Sequence, residues 1–230
     1  MKALNMIKRI IIYLIGLLII AVGINLSKLS SLGISPVSSI PGVLSAKFPQ
    51  ASLGSMVIVV YCVLVLAQLV VLRKKFKLKN ILGVPVAIIF GLMVDFVGIS
   101  EFKITLSGIS IGIDKTFSGF MMGLPKPTNY GFSLIYLAIS IIVIGIGVYI
   151  YLCPKLVPMP AEGLAGAISE VKDMKFGNCK TIVDVSMITI ALILQLILLG
   201  GFSVVREGTI ISAVCVGQVV KLLRKIFVKK

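Results

Sequence analysis

Ile34-Ser35-Pro36-Val37-Ser38-Ser39-Ile40-Pro41-Gly42 and Pro158-Met159-Pro160-Ala161-Glu162-Gly163-Leu164-Ala165-Gly166 stand at matching positions in two halves of a chain that otherwise reads as long apolar helices. Each stretch is too short to cross a bilayer, and each is punctuated by Pro and Gly where a spanning helix is usually continuous. Around the first stretch, Gly23, Pro36, Gly42 and Ser45 recur 124 positions later as Gly147, Pro160, Gly166 and Ser169. Further on, Gly83 corresponds to Gly208 and Gly91 to Gly217. The order in each half is long span, short segment, long span, long span. Three spans per half is an odd number, so the second half is expected upside down relative to the first, as an inverted-topology repeat.

The long segments set the class. The chain is 58% hydrophobic and 13% charged, against roughly 25% charged residues in an ordinary soluble domain. About 20 apolar residues are needed to span a bilayer core of ~30 Å. Six stretches meet or approach that length: residues 10–26, 53–72, 81–99, 132–152, 182–202 and 208–223. In lipid every backbone polar group must be satisfied internally, so these runs are expected to be helices. The predicted fold is all-α and polytopic, with six transmembrane helices and two short re-entrant or interfacial helices. Residues 1–99 form the first repeat and residues 130–230 the second. Residues 100–129, with Gly108, Gly112, Gly119, Gly123 and Leu124-Pro125-Lys126-Pro127, read as an extracytoplasmic loop or surface-lying connection.

Charge fixes the expected orientation. A formal net charge of +15 would suggest nucleic acid in a soluble protein, but the distribution of that charge points to the lipid bilayer instead. With the N-terminus in the cytoplasm, only Lys28, Lys47, Lys103, Lys115, Lys126 and Arg206 of the 23 basic residues fall outside. By the positive-inside rule both termini are cytoplasmic, and the protein is a multi-pass protein of the cell membrane. The first run follows Lys8-Arg9 as a secretory signal would, yet no Ala-x-Ala-like site follows, so it reads as an uncleaved span. Cys62, Cys153, Cys179 and Cys215 have no paired spacing and read as reduced and structural.

The run Gly33-Ile34-Ser35-Pro36-Val37-Ser38-Ser39-Ile40-Pro41 and the late Val205-Arg206-Glu207-Gly208-Thr209-Ile210-Ile211-Ser212-Ala213, with Gly217, carry a resemblance. Over essentially its whole length the chain resembles the YczE/YyaS/YitT group of bacterial integral membrane proteins. That resemblance implies a multi-span bacterial membrane protein and no particular substrate or reaction. The second short segment, with Glu162, takes its role from the repeat.

Ser35-Pro36 is a helix start, with Ser as cap and Pro pre-organised for the first helical position. Met159-Pro160 repeats that grammar without the cap. Helices running from these prolines back to the surface would place their N-termini deep in the membrane, and residues 28–34 and 155–159 would line the descent. Irregular backbone at that depth requires surrounding protein or a water-filled cavity. Two N-termini meeting near the midplane aim partial positive charge at one spot, which favours an anion or repels cations. Ser35, Pro36, Ser38, Ser39, Gly42, Pro160, Glu162 and Gly166 are therefore the candidate solute-binding residues. Glu162, aligned with Ser38, has two readings. It carries a proton or offsets the helix dipole inside the membrane, or it stabilises the N-terminus of a helix lying on the cytoplasmic surface.

Other polar residues in the spans have local explanations. Asp184 is expected to pair with Lys180 one turn away, and Asp95 with Arg206 or Lys103. Arg206 and Glu207 form an expected pair at the outer mouth, as a structural contact or a gate. Gln68 and Gln195 are expected to cross-link helices, and Gly16, Gly23, Gly145 and Gly147 to allow close packing. The absence of histidine removes His-based acid–base chemistry and Ser–His triads. No Gly-x-x-x-x-Gly-Lys-Ser/Thr loop occurs. Neither enzymatic activity, cofactor nor metal is expected. The expected function is a permease or channel-like transporter for a small polar or anionic solute or ion. The alternative is a non-transporting accessory or scaffold protein acting on a membrane partner. A homo-oligomer is compatible with either.

Overall fold

The computed structural model describes residues 2–76, 78–98, 103–106, 109–112, 124–125 and 127–227. In chain order the helices are α1 (Lys2–Ser30), α2 (Ser39–Lys47, entered through a 3-10 turn at Pro36–Ser38), α3 (Leu53–Leu72), α4 (Leu78–Ile81) and α5 (Gly83–Val97). They continue with α6 (Tyr130–Leu152), α7 (Pro160–Lys172), α8 (Phe176–Leu199) and α9 (Glu207–Phe227). The bundle is all-helical, as expected. Among the described residues the exception is an antiparallel hairpin, β1 (Lys103–Leu106) with β2 (Ile109–Gly112). The expected surface-lying course of the connection, including Gly108, Gly119, Gly123 and Lys126, lies largely outside the described residues.

Among the described residues four helices are long and apolar enough to cross a membrane: Met6–Ser30 within α1, then α3, α6 and α8. Their outward faces expose Val59, Val63, Leu66 and Val70 on α3 and Val185, Ile190, Ile193 and Ile197 on α8. A belt of that kind is stable against lipid and not against water. The third expected segment, residues 81–99, is shorter than its apolar run. The chain breaks between α4 and α5, and the 15 residues of α5 reach about 22 Å at 1.5 Å per residue. The sixth, α9, has 21 residues, but Lys221, Arg224 and Lys225 interrupt its apolar run.

The centre of the bundle is the antiparallel crossing of α1 and α6. A Cβ added to Gly23 would lie 2.5 Å from Ile144 Cγ1, and one added to Gly147 would lie 2.7 Å from Ile20 Cγ1. Gly16 meets Tyr151 in the same register, and Gly145 receives Val219 of α9. These glycines bring backbones together, as their sequence positions suggested. Helix α1 leaves the crossing through Ser31 (φ 58) and α6 through Lys155 (φ 52), 124 positions apart and both left-handed. Ser35 and Met159, which precede the two helix-starting prolines, have nearly the same backbone angles, φ −59 with ψ 149 and φ −59 with ψ 153.

Helices α3 and α5 make the second close contact. Gly54 and Gly91 place backbone against backbone, so that an added Cβ at Gly54 would collide with the Gly91 carbonyl. The Asp95 carboxylate clamps the start of α3, accepting hydrogen bonds from the Gly54 N–H (2.6 Å) and from the Ser52 hydroxyl. Tyr61 stacks on Phe90 with ring centroids 5.9 Å apart. Among the described residues α8 and α9 have no comparable packing with each other.

Gly54→Ala should therefore lower the stability of the purified protein by about 1–3 kcal/mol, because the new methyl meets backbone that cannot give way. Gly177→Ala is the control, since a Cβ there meets nothing within 4 Å, and it should change stability by no more than about 0.5 kcal/mol. Thermal unfolding in detergent micelles compares them, and equal losses would mean that the Gly54–Gly91 approach does not set the α3–α5 packing.

Candidate functional site

Both short helices begin inside the bundle. The Ser39 hydroxyl donates to the Pro36 carbonyl (2.6 Å) and lies 3.4 Å from the carbonyl of Met187, at the midpoint of α8. On the other side Gln68 of α3 donates to the Pro160 carbonyl at 3.0 Å. Val37 and Ile40 from the first segment and Ala161 and Ala165 from the second share one apolar cluster with Val60, Val183 and Met187. Pro36, Ser38, Ser39, Pro160 and Glu162 are all buried. A surface-lying position does not fit these contacts.

The irregular lead-ins are held by hydrogen bonds from the opposite half. In the first, Gly208 N–H donates to Leu32 O (2.9 Å), Arg206 to Ser31 O (3.1 Å), and Ile34 N–H to the Thr209 hydroxyl (3.2 Å). Gly33 adopts φ +133, and a Cβ there would strike Thr209. In the second, the Arg9 guanidinium donates to Pro154 O (3.1 Å from Nε) and the Tyr13 hydroxyl to Val157 O (2.8 Å). Buried carbonyls and N–H groups outside a helix need such partners.

Four expectations are corrected. The Ser35 side chain makes no capping hydrogen bond, because the 3-10 turn is closed by backbone, Ser38 N–H to Ser35 O at 3.0 Å. The first lead-in is shorter than residues 28–34, since α1 stays helical through Ser30. Asp95 is engaged with Ser52 and Gly54 rather than Arg206, while Lys103's side chain lies outside the described residues. Arg206 instead meets Glu207 at 3.6 Å, as the expected mouth pair. Gln195 does not bridge two helices. It accepts from Val204 and Val205 N–H and donates to Val205 O, fixing the loop before α9.

Among the described residues three buried side-chain atoms lack a hydrogen bond of good geometry, Ser38 Oγ, Glu162 Oε2 and Tyr151 Oη, and the last two belong to side chains that approach each other. Two of them belong to the aligned pair Ser38 and Glu162. Tyr151, near the end of α6, was not singled out by the sequence, where one tyrosine in an apolar run carries no distinguishing pattern. Glu162 Oε1 lies 3.8 Å from Lys180 Nζ, which is itself bonded to Asp184 Oδ1 at 2.6 Å. The Asp184–Lys180 pair was expected, but its approach to Glu162 was not. The α7 N-terminus and Lys180 favour a charge on Glu162, and burial opposes it.

Two cavities adjoin the short segments, and of Ser38, Tyr151 and Glu162 only Glu162 lines one of them. The first, about 240 Å³, is lined by Lys28, Ser31, Gly33, Ile34, Gly42 and Ser45, with Ala46, Leu53, Ser203 and Val204. The second, about 330 Å³, contains Glu162, Gly166, Glu170, Gln68 and Asn80 among apolar walls. The first lies by the C-terminal end of α1 and the second by that of α6, so the antiparallel crossing puts them at opposite ends of the molecule. Gly42 and Gly166 each line one cavity, whereas Ser38 lines neither and Ser39 is turned to backbone. Neither a curated protein nor a solved structure matches this chain. Residues 7–225 match the model of a family described as a family of unknown function (DUF6198), and the chain belongs to it.

Proposed function

We propose that the protein is an integral membrane permease or channel-like transporter for a small polar solute, built as a 3+3 inverted repeat with α5 and α9 as the third span of each half. The observation that carries this reading is the pair of cavities. Gly33 and Val157, Ile34 and Pro158, Gly42 and Gly166, Ala46 and Glu170, and Asn80 and Val204 are each 124 positions apart, with one member lining each cavity. The reciprocal contacts of Gly23 with Ile144 and Gly147 with Ile20 support the same two-fold relation, as do the left-handed Ser31 and Lys155.

Two vestibules entering from opposite ends, the second reaching the buried Glu162, suit alternating or stepwise passage of a solute. Unpartnered donors and acceptors away from water are costly to keep, and a passing solute or water would satisfy them. The charge asymmetry supports an orientation with the first vestibule outside and the second facing the cytoplasm.

Single cysteines in a variant lacking the four native ones test the geometry. Cysteines at Ser45 and Gly166 should react with a membrane-impermeant maleimide from opposite sides, whereas one at the fully buried Ala165 should react at least about tenfold more slowly. Labelling of both from one side would end the two-vestibule reading. Proteoliposome swelling with urea, glycerol, glycine, sodium butyrate and butylammonium chloride tests passage, and at least one solute should enter faster than into empty liposomes. Entry of none would favour the scaffold alternative. Glu162→Gln should alter the pH dependence of any entry observed, and an unchanged profile would take Glu162 out of the mechanism.

A further inference from the structure

The chain has 23 basic and 8 acidic residues, yet among the described residues the second vestibule is lined by two glutamates, Glu162 and Glu170, and by no basic residue. Their repeat-related positions, Ser38 and Ala46, are neutral, and the first vestibule carries Lys28 and no carboxylate. The two cavities thus share a backbone plan and differ in sign. Glu162 is 8% exposed, its Oε2 lacks a hydrogen bond of good geometry although the Tyr151 side chain approaches it, and its Oε1 pairs with Lys180 only at 3.8 Å, beyond hydrogen-bonding distance.

We infer that the second vestibule binds a small organic ammonium ion at the Glu162 carboxylate, with the Lys180 ammonium as a tethered competitor that retires to Asp184 when the ligand arrives. The walls set the class of cation. Leu72, Leu82, Leu156, Val157, Pro158 and Phe176 suit a hydrocarbon body, and 330 Å³ lies at the small end of ligand cavities. A divalent metal fits poorly, because Glu162 and Glu170 are eight residues apart on α7, about 12 Å along the axis, and such ions need six or more oxygens close together. Lys180 itself presents an alkylammonium 3.8 Å from this carboxylate and already holds a shorter bond with Asp184, the partner left to it once the ligand binds. Glu170, exposed on the same helix, adds negative charge on the approach. The inference names the substrate class of the proposed permease and rests on that reading only for passage, not for binding.

The test uses the purified full chain in detergent, with thermal unfolding followed against n-butylammonium chloride at constant ionic strength. Sodium butyrate and n-butanol serve as isosteric controls. Butylammonium should stabilise saturably and the controls should not. Lys180→Met should bind butylammonium about tenfold more tightly, because the competitor is gone. Glu162→Gln should lose the effect, and Glu170→Gln, at an exposed position that tolerates change, should weaken binding roughly two- to threefold. Butylammonium no better than butanol or butyrate, or weaker binding by Lys180→Met, would overturn the site. Saturable amine binding without amine entry into proteoliposomes would leave the site standing and remove the permease. Entry of a neutral solute without amine binding would do the reverse.

Discussion

A stretch of non-helical backbone inside a helix bundle must find a partner for its N–H and C=O groups without water, and the rest of this structure is arranged around two such stretches. Neither lead-in is satisfied by its own half alone. The one before α2 relies on Arg206, Gly208 and Thr209 at the start of α9. The one before α7 relies on Arg9 and Tyr13 in the first half of α1 and is followed by the bond from Gln68 of α3. This exchange holds the two halves together at the places where the chain is least regular. It also leaves the first turns of α2 and α7 buried in the bundle, with Ser38 Oγ lacking a hydrogen bond and Glu162 facing Lys180 and Tyr151.

The halves are alike in course and unlike in stiffness. Helices α3 and α5 are locked by glycine backbones, by Asp95 and by the Tyr61–Phe90 stack, and among the described residues α8 and α9 have no equivalent packing with each other. The ionisable cluster of Glu162, Lys180 and Asp184 lies on α7 and α8, in the half without the clamp. Rigid support on one side and looser packing on the other is the arrangement in which a small displacement of α8 would alter the distance between Lys180 and Glu162 while leaving the α3 wall in place.

Much of this was legible in the sequence. The prolines at 36 and 160 and the glycines of α1 and α6 found the short helices and the central crossing, because Pro and Gly act through backbone geometry that is local. The Asp184–Lys180 pair was readable for the same reason, being one helical turn. What escaped depended on distant partners. Asp95 caps α3 instead of pairing with Arg206, and Tyr151 and Lys180 approach Glu162 only through helix packing. The break at Leu82 was hidden because apolar residues continue across it, so hydropathy alone draws one segment where the chain forms two helices.

The bonds from α9 to the first lead-in have a consequence for how the chain is made. Arg206 follows Ser31 by 175 residues, so Ser31, Leu32 and Ile34 leave the ribosome well before their partners in α9 exist. Until then that segment must be sheltered by water, by the insertion machinery or by a temporary alternative fold. A nascent chain halted before α9 would carry an uncompleted first half, making late synthesis the point at which quality control distinguishes a finished molecule from an abandoned one.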